Sequence, residues 1–210
     1  KDYGIFNDGD QAFKEKFDEW KQSHKPFNWL IEFYGIIQAG GFNVIIGNPP
    51  YIVYSDSKLD YKVLGYETMS CQNLYAFMCE RSYSILSENG KFGMIIPNSS
   101  ISADKMSELQ KLILTNNRTW ISNFSWRPAK LFDEVDMLLA IVITMRSEEE
   151  KLYCSPYLKW RSEFRPFLLD GIPYLYVKRP KSLGTIPKMP SKLFASILNK
   201  MKNISPKIFL

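Results

Sequence analysis

Four consecutive residues carry the clearest chemistry in this chain: Asn48, Pro49, Pro50 and Tyr51, within the run GGFNVIIGNPPYIVY. An exocyclic amino group on a flat nucleobase is a poor nucleophile, because its lone pair is delocalised into the ring. A site that accepts both amino protons draws the nitrogen toward a tetrahedral shape and frees that pair. The Asn48 side-chain oxygen is one acceptor and the Pro49 main-chain carbonyl a second. Two prolines hold φ near −65° and so fix the carbonyl's direction. Such rigid placement supplies much of the rate in a positioned reaction. Tyr51 adds a ring face for the base, worth roughly 1–3 kcal/mol in nucleic-acid sites. The competing structural reading is a plain turn with Tyr51 in the core.

The elements around this motif must hold it at an edge. FNVIIG reads as a short buried strand bounded by Gly41 and by Gly47-Asn48-Pro49. QNLYAFMCERSYSILSENG predicts a helix with Leu74, Phe77, Met78 and Ile85 on its inner face and a stop at Asn89-Gly90. KFGMIIPNS is a second buried strand, again ended by proline. Ser102 is placed to cap a helix running to about residue 115, with Met106, Leu109, Leu112 and Ile113 inward. RTWISNFSW and MLLAIVITM predict two further strands joined too briefly for a helix, hence antiparallel. The order strand, helix, strand, helix is that of an α/β protein with a helix-covered parallel sheet, and ligands bind such sheets at the carboxyl ends of strands.

Composition narrows the function classes. No apolar run approaches the roughly 18 residues of a membrane span, and the polar N-terminal stretch lacks a signal-peptide pattern. Cys71, Cys79 and Cys154 match no zinc or redox spacing, and His24 is the single histidine. The expectation is therefore idle thiols in a reducing cytoplasm and no metal site. A Ser-His-Asp hydrolase is disfavoured, since G-x-S-x-G is missing. The net charge of +5 is uneven. Twelve Lys and Arg against Glu163 and Asp170 give +10 for residues 151–210, leaving −5 for residues 1–150. A basic end on an acidic body suggests a polyanion partner, most often nucleic acid. The expected division is a catalytic region over 1–150 and a basic, Pro- and Tyr-rich linker over 151–210.

FNVIIGNPPYI resembles the catalytic motif of amino-methyltransferases, in particular the DNA adenine-N6 enzymes of restriction–modification systems. KPFNWLIEFYGIIQAGGFNVIIGNPPYI, QNLYAFMCERSYSILSENGKFGMIIPNS and SWRPAKLFDEVDMLLAIVI extend the resemblance over about residues 26–146. It implies a Rossmann-like methyltransferase sheet with flanking helices and a terminal antiparallel strand pair. It also implies S-adenosylmethionine as methyl donor and a flipped base in double-stranded DNA. Carried over, Asn48, Pro49, Pro50 and Tyr51 are catalytic. Tyr51 and Phe132 contact the base, and Asn48 and Tyr75 border the cofactor.

The chain departs from that family in one respect. Only 47 residues precede the motif, with no Gly-rich turn and no following acidic residue for the ribose. The expectation is that the cofactor-binding half and most of the target-recognition domain are missing. The isolated chain is then inactive, and the strand edge at 42–47 is open to self-association. Two alternatives stand beside this reading. One is an NPPY methyltransferase acting on protein glutamine or RNA. The other is a non-catalytic DNA-binding or assembly subunit.

Overall fold

The computed structural model describes residues 11–25, 27–55, 62–177, 186, 193–194, 196–197 and 200. Three helices come first: α1 (Gln11–His24), α2 (Trp29–Glu32) and α3 (Tyr34–Gln38). They are followed by β1 (Phe42–Gly47), α4 (Leu74–Ile85), β2 (Leu86–Pro97) and α5 (Ser107–Leu114). The chain continues through β3 (Asn117–Phe124), β4 (Leu139–Arg146), β5 (Lys151–Leu158) and β6 (Leu175–Val177). Among the described residues no helix is long and apolar enough to cross a membrane.

The six strands form one mixed sheet in the order β1-β2-β4-β3-β5-β6. β1 and β2 are parallel, β4 runs antiparallel to both β2 and β3, and β5 is parallel to β3. Strands β1, β2, β3 and β5 therefore point the same way. Their carboxyl ends at Gly47, Pro97, Phe124 and Leu158 share one edge of the sheet, where the motif at residues 48–51 emerges. The α/β class, the parallel first pair and the antiparallel β3–β4 pair agree with the sequence reading.

The two faces of the sheet differ. On one, the register aligns Ile45, Phe92, Thr144, Thr119, Leu152 and Val177. This face packs against α4 and α5, with Phe92, Ile96, Ile121 and Val142 almost wholly buried. Complete burial of such side chains contributes about 1.5–3 kcal/mol each. The opposite face aligns Ile46, Gly93, Ile143, Trp120, Tyr153 and Tyr176. There Ile46 is 79% exposed, and Ile143 and Tyr176 are also exposed.

Several sequence expectations change. β1 ends the sheet, as expected of an open edge at 42–47, but it is not buried: Ile45 packs toward the core while Val44 and Ile46 face outward on the open side. Lys151–Leu158, read as the start of a linker, is β5, so the antiparallel pair β3–β4 does not end the sheet. Its alternation is masked by Ser155 and Pro156, which break the apolar pattern. The helix before β2 stops at Ile85, and residues 86–90 already belong to the strand. Packing there is close: Gly41 has φ +108°, and a Cβ on it would lie 2.5 Å from the Ile85 carbonyl oxygen. On α4, Tyr75, Ala76, Cys79 and Tyr83 are buried while Met78 is exposed. Phe77 and Ile85 are buried as expected and Leu74 packs on the core, but the helix is apolar on two sides, and periodicity alone misplaced Met78 and passed over Tyr75, Cys79 and Tyr83. Ser102 does not cap α5. It donates to the Asn98 carbonyl at 3.0 Å, and α5 begins five residues later.

Candidate active site

Residues 48–55 leave the carboxyl end of β1 and are tied at once to the start of α4. The Leu74 N–H donates to Ile52 O at 3.0 Å, the Tyr54 N–H donates to Gln72 O at 2.9 Å, and Val53 forms an antiparallel bridge with Asn73. This short pairing sets Tyr51 beside Tyr75, ring edge to ring face, with centroids 6.4 Å apart and planes at 82°. Pro49 is buried, Tyr51 half-buried, and Asn48 and Pro50 are exposed.

The Tyr51 hydroxyl donates to Asn48 Oδ1 at 2.6 Å. It also lies 3.2 Å from the Ile95 carbonyl on β2. A phenol has one proton to give, so the shorter contact takes it and the Ile95 oxygen stands as an alternative acceptor. The amide oxygen of Asn48 is thereby oriented and keeps a second lone pair. Burial pushes the Tyr51 hydroxyl up to about 12, so it remains a protonated donor at neutral pH. Burial likewise raises Tyr75 to about 12, partly opposed by a hydrogen bond with Ser99. The Tyr75 hydroxyl also meets the Met106 sulfur at 3.6 Å.

Tyr51 and Tyr75 line a pocket of about 520 Å³ at this edge, together with Pro97, Asn98, Met137 and Tyr157. The structure thus brings together Asn48, Tyr51 and Tyr75. It does not bring Phe132 into this group. Phe132 is half-buried in the β3–β4 loop, in a turn closed by the Val135 N–H to its carbonyl at 3.1 Å. Met137 and Leu138 of the same loop line the pocket instead.

Sequence reasoning missed the far wall. Asn98 Nδ2 donates to Asn123 Oδ1 at 2.8 Å, and the Tyr157 hydroxyl donates to Asn98 Oδ1 at 2.9 Å. Asn123 Nδ2 donates to Ser155 O at 2.9 Å, and the Asn98 N–H donates to Leu138 O at 2.8 Å. Asn98, Asn123 and Ser155 are all but inaccessible. A buried polar side chain is costly unless bonded, and these are bonded to one another. The network joins the ends of β2, β3 and β5 and fixes the entry to β4. The signal available in the sequence is a polar residue interrupting each apolar strand near its end: Asn98, Asn123 and Ser155.

Comparison with known proteins supplies the family and the fold. Residues 5–132 match the Eco57I restriction-modification methylase family. The chain belongs to that family. A Methanocaldococcus jannaschii protein named for a type II restriction enzyme and methyltransferase is 34% identical over 91 residues. That alignment covers 43% of this chain and 8% of the relative. Two solved structures share the fold. The DrdV–DNA complex matches with TM-score 0.55 and 16% identity, over 72% of this chain and 19% of that one. A nuclease-deletion mutant of the Type ISP restriction-modification enzyme LlaGI, in complex with a DNA substrate mimic, matches with TM-score 0.56 and 14% identity. It covers 88% of this chain and 23% of that one. The chain therefore spans less than a quarter of the length of each.

The residues present suit part of an S-adenosylmethionine site. Asn48 presents an oriented amide oxygen beside the aromatic wall of Tyr51 and Tyr75. Among the described residues, the lining of the pocket at Tyr51 and Tyr75 includes no carboxylate for ribose hydroxyls. The fit extends to the methyl-transfer end and not to the nucleoside end.

Proposed function

We propose that this chain is the amino-group-binding half of a DNA adenine-N6 methyltransferase from a restriction–modification system. The observation that carries the reading is the Asn48–Tyr51 pair at the carboxyl end of β1, with the amide oxygen held at 2.6 Å from a half-buried phenol. Asn48 Oδ1 accepts one amino proton of the flipped adenine, and the Pro49 carbonyl accepts the other. The lone pair of Asn48 Oδ1 that Tyr51 leaves unused faces the entering base, and the Tyr51 hydroxyl has Ile95 O as an alternative acceptor should the base displace it. Tyr51 contacts the base, Met137 and Leu138 of the β3–β4 loop stand across the pocket in place of Phe132, and Asn48 and Tyr75 border the methyl donor. S-adenosylmethionine supplies an electrophilic methyl group for direct attack by the amino nitrogen.

The reading places the nucleoside-binding half on further protein packed against the open sheet face and the free edge of β1. Exposed Val44 and Ile46 support this, since an unpaired apolar edge is a template for strand addition. The 210-residue chain alone then transfers no methyl group and self-associates through residues 42–47. Ile46→Lys restores a monomer in size-exclusion chromatography with light scattering; an unchanged wild-type monomer at high concentration would count against the edge.

The deciding test supplies the full-length protein with S-adenosylmethionine carrying a labelled methyl group, and with duplex DNA, RNA or protein. Label recovered as N6-methyldeoxyadenosine, and lost in Asn48→Ala, supports the proposal. Label confined to RNA, protein or cytosine overturns it.

A further inference from the structure

A second cavity, of about 700 Å³, opens on the same sheet edge as the tyrosine pocket and is lined by Trp126, Arg127, Pro128, Lys130, Asp136 and Lys159. The two cavities are lined by neighbouring residues of the same two segments. Tyr157 lines the first and Lys159 the second; Met137 and Leu138 line the first and Asp136 the second. Two residues of extended chain span roughly 7 Å, about the rise of two nucleotides along one strand of a duplex.

The cations here are not equivalent. Lys130 forms an ion pair with Asp136. Arg165 is committed to the loop itself: it donates to Leu131 O at 2.8 Å, Lys130 O at 3.1 Å and Asp133 Oδ1 at 3.2 Å, and lies over the Trp160 ring. These bonds hold the β3–β4 loop against the segment after β5. Arg127 and Lys159 are exposed, and among the described residues neither has an ion-pair partner. The Arg127 guanidinium lies 4.5 Å from the Trp126 ring centroid, which pre-orders its fork of donors.

We propose that Arg127 and Lys159 form a phosphate-backbone subsite for the nucleic-acid strand whose base enters the tyrosine pocket. The inference rests on the methyltransferase reading for the identity of that base, but the subsite is defined by charge and place alone. Arg127 grips a phosphate in fork geometry, and Lys159 neutralises a neighbour as a point charge. Phosphate contacts of this kind set register on the strand without reading sequence.

The test measures binding of the 210-residue chain to a fluorescein-labelled 30-base-pair DNA duplex by anisotropy across a KCl series. Each neutralised phosphate contributes about 0.9 to the slope of log K against log salt. The double variant Arg127→Gln/Lys159→Gln is expected to reduce the slope by about 1.8. Lys91→Gln/Lys111→Gln removes the same charge from the middle of β2 and from α5, outside the cavity lining, and is expected to leave the slope unchanged. All variants should share the wild-type melting temperature, since each altered side chain is exposed. Equal slope losses in the two double variants would overturn the subsite in favour of diffuse attraction. No slope change in Arg127→Gln/Lys159→Gln, or no duplex binding by the wild type at 50 mM KCl (about the low end of such titrations), would also overturn it. A slope loss without methyl transfer by the full-length protein would uphold the subsite and sink the methyltransferase reading; methyl transfer with an unchanged slope would do the reverse.

Discussion

Replacing Asn123 with Ala tests whether the buried amide network holds the pocket wall. The Asn123 side chain is inaccessible. It receives Asn98 Nδ2 at 2.8 Å and donates to Ser155 O at 2.9 Å. Truncation leaves both partners buried without it. An unsatisfied buried group costs about 1–3 kcal/mol, so the pair predicts a loss of about 2–6 kcal/mol, with ~3 expected if water enters the space. The Asn123 N–H keeps its bond to Ser155 Oγ, because the backbone is untouched. In a chain of this size each kcal/mol moves Tm by about 2–4 °C, so the midpoint should fall by about 6–12 °C. Tyr157→Phe is the contrast. It removes the hydroxyl that bonds Asn98 from a residue that is 38% exposed, so water can replace it and the loss should be about 0.5–1.5 kcal/mol. Urea titration followed by circular dichroism measures both. An Asn123→Ala protein melting within a degree or so of wild type would refute the reasoning, as would equal losses in the two variants.

Three further outcomes follow from the same geometry. In the full-length protein, Tyr51→Phe should reduce methyl transfer by about 5–10-fold, the equivalent of about one hydrogen bond. Tyr51→Ala should cost more because the ring is lost too, and similar rates for the two would remove the ring from the site. The second outcome concerns pH: folding raises the Tyr51 and Tyr75 hydroxyls from 10.0 to about 12. Their contribution to stability is complete below pH 10 and is lost as pH rises toward 12. Ultraviolet titration of phenolate should show a late phase that coincides with unfolding, and full ionisation near pH 10 in the folded chain would contradict it. Finally, Cys71, Cys79 and Cys154 are all buried, and burial pushes Cys79 up to about 12. A thiol reacts as its thiolate, so the native chain should resist Ellman's reagent until denatured, and prompt labelling of any cysteine would show that the core is open.

What the sequence settled by itself was local. Asn-Pro-Pro after a β-branched run ends a strand wherever it occurs, because proline lacks the N–H a ladder needs. The link between the two later strands, with no helix readable in it, likewise favours an antiparallel pair. The motif and its supporting strands were legible for these reasons, and so was the family resemblance they carry.

Tertiary structure decided what depends on partners distant in the chain. α4 is apolar on two sides, and only the sheet determines that Tyr75 turns inward while Met78 faces out. β1 takes the open-edge place expected for residues 42–47, but only the sheet decides that the apolar Ile46 lies on the uncovered face, 79% exposed. β5 was hidden because Ser155 and Pro156 interrupt its alternation, and Ser155 is there to serve Asn123, 32 residues away. Asn98, Asn123 and Tyr157 carry no signature as single letters. They become a wall only when parallel strands bring their carboxyl ends to one edge, where each polar group finds the partner that makes its burial tolerable.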